Sequence, residues 1–408
     1  MSRWLISLLT FLLLIQASPV HAQTVPPWKA AFVRDGNLWI KINQEEKQIT
    51  TAGKVTNPTW SHDGHWIAYI KNEEIWVYDM QSKMEYHVYH KGATNLQWAP
   101  DKNVLSFKDG PVLDISDIRF DKPKSFKNVA LAVDNYSWMP DGSGFLVSAS
   151  ANPLPDGWTN PLLYKVPFDV DQEITDLTKN VQRFFTIPST LRKGNVEVLS
   201  IGTSSFKWSP DQKWITFIVN PTASWSMDSD MLCALSADGK RFIVLDEMLQ
   251  NEKWFQWAPQ KNVLAYIQGG GRIVFGFKNK NLTVTEIPVV QSLTLTPKHF
   301  VDLDFTWESD DIITASRAEE REWSNDPSKH PSPSLYRIRL NQNSQDKITF
   351  PPAKFGDYNP YYVQHLHKLT WIRSNQEKND VWIAEPNGEQ AKMWIQNIDF
   401  GEISWPQK

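Results

Sequence analysis

The side chains able to do chemistry in this sequence are scattered rather than gathered into one motif. His365 and His367 are two apart and are expected to share a strand face, His87 and His90 are three apart and are not, and His62 and His65 flank a turn. No third ligand at metal spacing accompanies His365 and His367, so a polar, solvent-facing pair is the reading. The acids of Ser226-Met227-Asp228-Ser229-Asp230 fit neither the spacing nor the glycine of an EF-hand loop. No metal or cofactor is therefore expected. Cys233 is the only cysteine, which excludes an intrachain disulfide and fits a small buried hydrophobe. No Gly-x-Ser-x-Gly nucleophile elbow occurs, and no catalytic residue is assigned.

Binding chemistry has better candidates. Three polar stretches, residues 151–161, 220–229 and 317–334, each carry a tryptophan: Trp158 beside Asp156 and Asn160, Trp225 beside Asp228, and Trp323 beside Glu320, Arg321 and Asp326. A tryptophan in a polar loop more often plugs that loop onto its own scaffold than meets a ligand. Three at one topological position still make Trp158, Asn160, Trp225, Asp228, Glu320, Arg321 and Trp323 the candidate ligand-binding set.

That position is defined by a repeat. In Pro58-Thr59-Trp60-Ser61-His62-Asp63-Gly64-His65-Trp66-Ile67-Ala68-Tyr69-Ile70 an apolar strand ends on Trp60, a Ser-x-Asp-Gly turn reverses the chain, and a second apolar strand leaves. Copies follow at Trp98-Ala99-Pro100-Asp101, Trp138-Met139-Pro140-Asp141-Gly142, Trp208-Ser209-Pro210-Asp211, Trp257-Ala258-Pro259 and Trp307-Glu308-Ser309-Asp310, with a fainter one at Tyr358-Asn359-Pro360. Their spacing is near the roughly 40–50 residues of a four-stranded propeller blade, apart from a longer step between Trp138 and Trp208. Hairpins beginning near Ala31, Trp66, Val104, Phe145, Trp214, Val263, Ile312 and His367 give eight blades, with seven as the alternative if the weak copies are misread. Asp35-Gly36 starts a hairpin with no inner strand before it, while Ile403-Ser404-Trp405-Pro406 is an inner strand with no hairpin after it. The terminal strands are thus expected to pair in one blade and close the ring. The fold class is all-β, a single propeller.

The repeat Trp residues should fill the wedges between twisted blades, while Pro presets the turn and Asp caps it. Three blades carry the long loops above between their second and third strands, where others have short turns such as Gly269-Gly270-Gly271. Residues 169–202 form a further irregular stretch in which Phe184-Phe185-Thr186-Ile187 is the expected outer strand and Thr190-Leu191-Arg192-Lys193-Gly194 a crossing loop of unassigned function.

The repeated Trp-[Ser/Ala/Met]-Pro-Asp-Gly, followed by strands such as Ile75-Trp76-Val77-Tyr78-Asp79, resembles the TolB-like propeller repeat. The same repeat occurs in the propellers of prolyl oligopeptidase and dipeptidyl peptidase relatives. The resemblance covers nearly all of residues 23–408 and implies a fold rather than an activity. Gln260 replaces the Asp in one copy, and the copy at Tyr358 lacks the Trp. TolB has an N-terminal domain that this chain has no room for, so its partner contacts are not carried over. The peptidase relatives act through an α/β-hydrolase domain whose nucleophile elbow is absent here.

The remaining numbers bound the function. A net charge of −4 over 408 residues gives no reason to expect nucleic acid or an anionic membrane surface as partner. Residues 1–22 read as a signal peptide, with Arg3, an apolar run from Trp4 to Ile15 and a small-residue site at Val20-His21-Ala22; the domain then spans 23–408. The run is too short for a spanning helix, so a monomer without a membrane span, secreted or held in the periplasm or cell envelope, is expected. The sequence supports a non-catalytic binding or scaffolding propeller for a protein, peptide or envelope glycan. The alternative is an extracytoplasmic glycan hydrolase with loop acids such as Asp156, Asp228 and Glu320 in the funnel. The inner strands weaken it: Thr59, Gln97, Ser137, Lys207, Gln256 and Thr306 precede the repeat Trp residues, and Asp304 is the one acid nearby, where hydrolysis needs two.

Overall fold

The computed structural model describes residues 27–406 apart from residues 91, 120, 121, 175, 227, 272–275 and 323. The expected signal segment, residues 1–22, lies outside them, as does Trp323. The described residues form eight four-stranded antiparallel sheets arranged as an eight-bladed β-propeller, the fold that the TolB-like repeat implied. Blade 1 joins Lys29–Arg34, Asn37–Ile42 and Glu45–Gln48 to the C-terminal strand Ile403–Ser404, with Ala31 opposite Ser404 and Phe32 opposite Ile403. The inner strands of blades 2 to 8 are Val55–Trp60, Ala93–Trp98, Asn135–Trp138, Gly202–Trp208, Phe255–Trp257, Phe300–Ser309 and Gly356–Val363.

Burial explains why second strands read as apolar runs and outer strands as polar ones. Trp214–Asn220 is buried at every position because sheets pack against both its faces, whereas the outer strands Glu45–Gln48 and Gln291–Thr294 are exposed throughout. The turn motif works as its residue types suggest. Ser61 Oγ donates to Asp63 Oδ1 at 2.7 Å, the His65 N–H donates to the same oxygen, and the Trp66 N–H donates to Ser61 Oγ at 3.0 Å. Burial acts to raise the Asp63 carboxyl, but the bonds from His65, Ser61 and Asn103 outweigh it and hold the group well below the usual range. Ser209 and Asp211 repeat this arrangement before Trp214.

Three expectations need correction. In blade 8 the residue at the repeat-Trp position is Tyr362, not Tyr358: Tyr362 faces Leu369 as Trp60 faces Ile67. The inner strands bulge three residues before the aromatic, at Asn57, Asn95, Ser205 and Asn359, all with positive φ, and this shifts the register. His365 and His367 do not share a strand face, because Gln364–Leu366 is a single 3-10 turn and His367 follows it in the left-handed region. Gly269-Gly270-Gly271 is no tight turn. It opens a long loop, since the third strand of blade 6 is Asn281–Glu286. At Gly269, φ is +117°, and a Cβ would lie 1.9 Å from the Asn279 carbonyl oxygen, so the loop returns over its own start.

Candidate functional site

Loops joining second to third strands and loops joining successive blades leave on the same face of the ring, and on this face the insertions are structured. In blade 4 a ribbon pairs Pro153–Leu154 with Gly157–Trp158, and Trp158 is 37% exposed. Asn160 is turned inward instead, donating from Nδ2 to the Ile187 carbonyl at 2.6 Å, which anchors the ribbon's base to the outer strand's exit. That outer strand is Gln182–Thr186, close to expectation. The expected crossing loop after it is a second ribbon, Thr190–Lys193 paired with Val196–Leu199. Alternation decides this: Leu191 and Val198 are buried against blade 5, leaving Leu199 partly exposed at the edge.

In blade 5 the insertion folds as one helical turn, Ala223–Ser226, which lifts Trp225 to 71% exposure. Its underside is held by Asp230, whose Oδ1 accepts from Ser226 Oγ at 2.6 Å and Asn220 Nδ2 at 2.8 Å. Burial pushes the Asp230 carboxyl up to about 6 against those two bonds. Gly271 N–H donates to the Asp228 carbonyl at 2.8 Å and Gly269 N–H to the Glu247 carbonyl at 3.0 Å, so the blade 6 loop braces blade 5, while Ser229 Oγ donates to Glu247 at 2.6 Å within blade 5. Trp225, Pro221 and Thr222 face the ribbon's Thr190, Glu197, Val198 and Leu199 across a cleft of about 540 Å³, with Asp228 and Ser229 at its rim.

The blade 7 insertion starts later than expected. Arg317 belongs to the strand Ile312–Glu319, where its guanidinium is buried on Asp302 through bonds of 2.7 and 2.8 Å. Beyond it Arg321–Glu322 pairs with Gly276–Phe277 of blade 6, and Glu320 hangs its N–H on the His299 carbonyl. The described members of the sequence-derived set therefore share a face of the ring without lining one cavity. Trp225 and Asp228 meet in the blade 5 cleft, Trp158 and Asn160 lie on the blade 4 ribbon, and Glu320 and Arg321 on the blade 6–7 ribbon. The acids Asp156, Asp228 and Glu320 sit on these three separate units. Glu197 and Leu199 were missed. A run alternating in polarity through Leu191, Val196 and Val198 was the available signal.

The channel-facing residues before the repeat Trp residues act first as struts between blades. Gln97 Nε2 donates to the Tyr136 carbonyl at 3.0 Å, Gln256 Nε2 to Phe305 at 2.9 Å and Lys207 Nζ to Phe255 at 2.8 Å, each reaching the next blade. Two ionisable groups here are displaced: burial lowers the Lys207 ammonium to about 8, opposed by Glu252 and Asp304, and burial pushes the Asp304 carboxyl up to about 7, opposed by Lys253 and other donors. Among the described residues no cluster of three or more His, Cys, Asp or Glu could hold a metal, and no helix is long and apolar enough to cross a membrane.

No family model matches the chain. A Bacillus subtilis (strain 168) protein named as an uncharacterized peptidase, YuxL, is 24% identical over 202 residues, a match covering 43% of this chain and 31% of that protein. Among solved structures, dihydro-heme d1 dehydrogenase NirN in complex with DHE aligns over 91% of this chain and 74% of its own, with a TM-score of 0.57 and 11% identity. A puromycin hydrolase mutant complexed with PGG aligns over 86% of this chain and 55% of its own, with a TM-score of 0.53 and 8% identity. At such identities the likeness is one of fold, and the chain spans only part of these proteins.

Proposed function

We propose that this chain is an exported binding propeller that recognises a protein, peptide or envelope glycan on its loop-bearing face, with the blade 5 cleft as anchor and no chemistry of its own. One observation carries the reading: Trp225 stands 71% exposed in a structured cleft, in a protein whose blade-wedge tryptophans Trp60, Trp138 and Trp307 are almost wholly buried. An exposed indole held by a braced loop loses little conformational freedom when a ligand covers it, so it suits recognition better than packing. The apolar wall of Val198, Leu199 and Pro221 lies beside a rim of Glu197, Asp228, Ser229, Thr190 and Thr222. This wall and rim suit a ligand that offers an apolar or C–H face together with hydrogen-bond donors, which a basic peptide and a glycan both do. Export rests on the signal-like residues 1–22.

The test is a titration of the mature protein with envelope glycan fragments and with a library of basic, aromatic-containing peptides, read by tryptophan fluorescence and calorimetry. Saturable binding by one class, lost in Trp225→Ala without a fall in melting temperature, supports the reading and tells peptide from glycan. Binding that survives Trp225→Ala moves the site elsewhere, and release of cleaved glycan would replace the binding role with hydrolysis.

A further inference from the structure

The ring closes on its shortest inner strand. Ile403–Ser404 supplies two residues where blade 8 supplies Gly356–Val363 and blade 7 supplies Phe300–Ser309. Beside it, at the channel, lies a cavity of about 420 Å³ lined by this strand and by blades 5 to 8. That is the size range of small-molecule sites and is too small for a folded partner.

The cavity has two chemically distinct ends. At one, Tyr361 stacks parallel to Trp405, with centroids 6.1 Å apart and an interplanar angle of 9°, and Ile403, Ile372 and Val381 extend the apolar wall. At the other lie Lys207 and Lys253 with Glu252 and Asp304, two charges of each sign. Asp304 is only 8% exposed, and among the described residues its one hydrogen bond comes from the backbone N–H of the next residue, Phe305, at 2.9 Å, with no cation within ion-pair distance. A carboxylate this buried ordinarily has a partner. Lys207 uses two of its three N–H donors on the carbonyls of Glu252 and Phe255.

We propose that this cavity binds a zwitterionic small molecule with a large apolar side chain, an amino acid or dipeptide, its ammonium on Asp304, its carboxylate towards Lys207 and Lys253, and its side chain against Tyr361 and Trp405. The charge pattern selects for both ends at once. An amine without a carboxylate meets Lys207 and Lys253 uncompensated, and an acid without an amine meets Asp304 and Glu252. The displaced titrations of Asp304 and Lys207 agree with charged groups awaiting a counter-charge. This site is separate from the blade 5 cleft, and nothing in its argument depends on that reading.

Calorimetry at pH 8 with the dipeptide Leu-Phe, N-acetyl-Leu-Phe and Leu-Phe amide tests it on the unaltered mature protein. Leu-Phe is expected to bind, and each capped form to bind at least about tenfold more weakly, as loss of one charge-assisted bond implies. Asp304→Asn, checked for an intact fold by circular dichroism, should weaken Leu-Phe by about tenfold or more while leaving the residual affinity for N-acetyl-Leu-Phe unchanged. Absence of Leu-Phe binding at millimolar concentration, or capped forms binding as well as the free dipeptide, would overturn the proposal, and neither outcome depends on the variant.

Discussion

The indole N–H of Trp60 donates to the carbonyl of Ser404 at 3.1 Å, joining residues 344 positions apart and tying blade 2 to the closing strand. The same bond recurs between neighbours: Trp98 to Thr59 at 3.1 Å, Trp257 to Lys207 at 3.2 Å and Trp307 to Gln256 at 3.0 Å. These four repeat Trp residues therefore wedge between two blades hydrophobically and pin them with their one polar atom. Trp208 breaks the pattern, its Nε1 buried with no partner among the described residues, at the junction where residues 169–202 are inserted.

Trp60 separates the two contributions. Trp60→Phe keeps most of the apolar wedge but removes the donor to Ser404, and a loss of about 1–2 kcal/mol is expected. Trp60→Ala removes the wedge as well, for about 3–5 kcal/mol. Urea unfolding followed by circular dichroism measures both, and an undiminished stability in Trp60→Phe would show that the hydrogen bond contributes nothing beyond packing.

Arg317 offers a sharper contrast within blade 7. Its side chain and that of Asp302 are essentially inaccessible, with Nε 2.7 Å from Oδ1, so Arg317→Ala strands a buried carboxylate and should cost about 3–5 kcal/mol. Lys261 and Asp311 form a comparably close pair at 3.2 Å but in solvent, and Lys261→Ala should change stability by less than about 0.5 kcal/mol. Melting temperatures of the two variants settle it. Similar shifts would mean that Arg317 is dispensable to the blade.

Trp225 is expected to behave unlike any wedge tryptophan. Trp225→Ala should alter stability by less than about 0.5 kcal/mol, because 71% of the residue is already in water, yet abolish binding at the blade 5 cleft. A fall in melting temperature as large as that of Trp60→Ala would show that its helical turn is a structural plug.

The blade count, the hairpin starts and the shared first blade were legible because the repeat is a packing rule: a wedge aromatic, a capped turn and a strand buried on both faces recur wherever two blades meet. Tyr362 escaped notice because the bulge at Asn359 moves the aromatic's register, and the clue lay in the Asn that also stands three residues before Trp60 and Trp98. The short turn expected at Gly269-Gly270-Gly271 gave way to a loop because the third strand of blade 6 is Asn281–Glu286. The candidate sites were less legible. Trp225 and Asp228 are near in sequence and were found together, but Glu197 reaches the cleft through a ribbon between blades. Lys207 and Asp304 were each visible, yet the cavity they share is lined from blades 5 to 8 and by the closing strand, which only three-dimensional packing brings together.

Asp304 supplies a pH dependence with a definite sign. Burial raises its carboxyl from 3.8 to about 7, against Lys253, the Phe305 N–H and Lys207. Between about pH 4 and pH 7 the folded protein keeps a proton that the unfolded chain has released, so this group's contribution to stability declines as pH rises through that window. Asp230, up to about 6, and Asp114, up to about 7, act in the same direction, so the group must be isolated by difference. Asp304→Asn stays neutral throughout, and subtracting wild-type stability from that of the variant cancels the other groups. The difference should grow in the variant's favour from pH 4 to pH 7 by roughly 2–4 kcal/mol, all of it below the titration of Lys207 near 8. Urea unfolding of both proteins at pH 4.5, 6 and 7 measures it. A difference independent of pH would mean that Asp304 is ionised throughout, stabilised by the lysines at the channel, and that its charge is already balanced without a ligand.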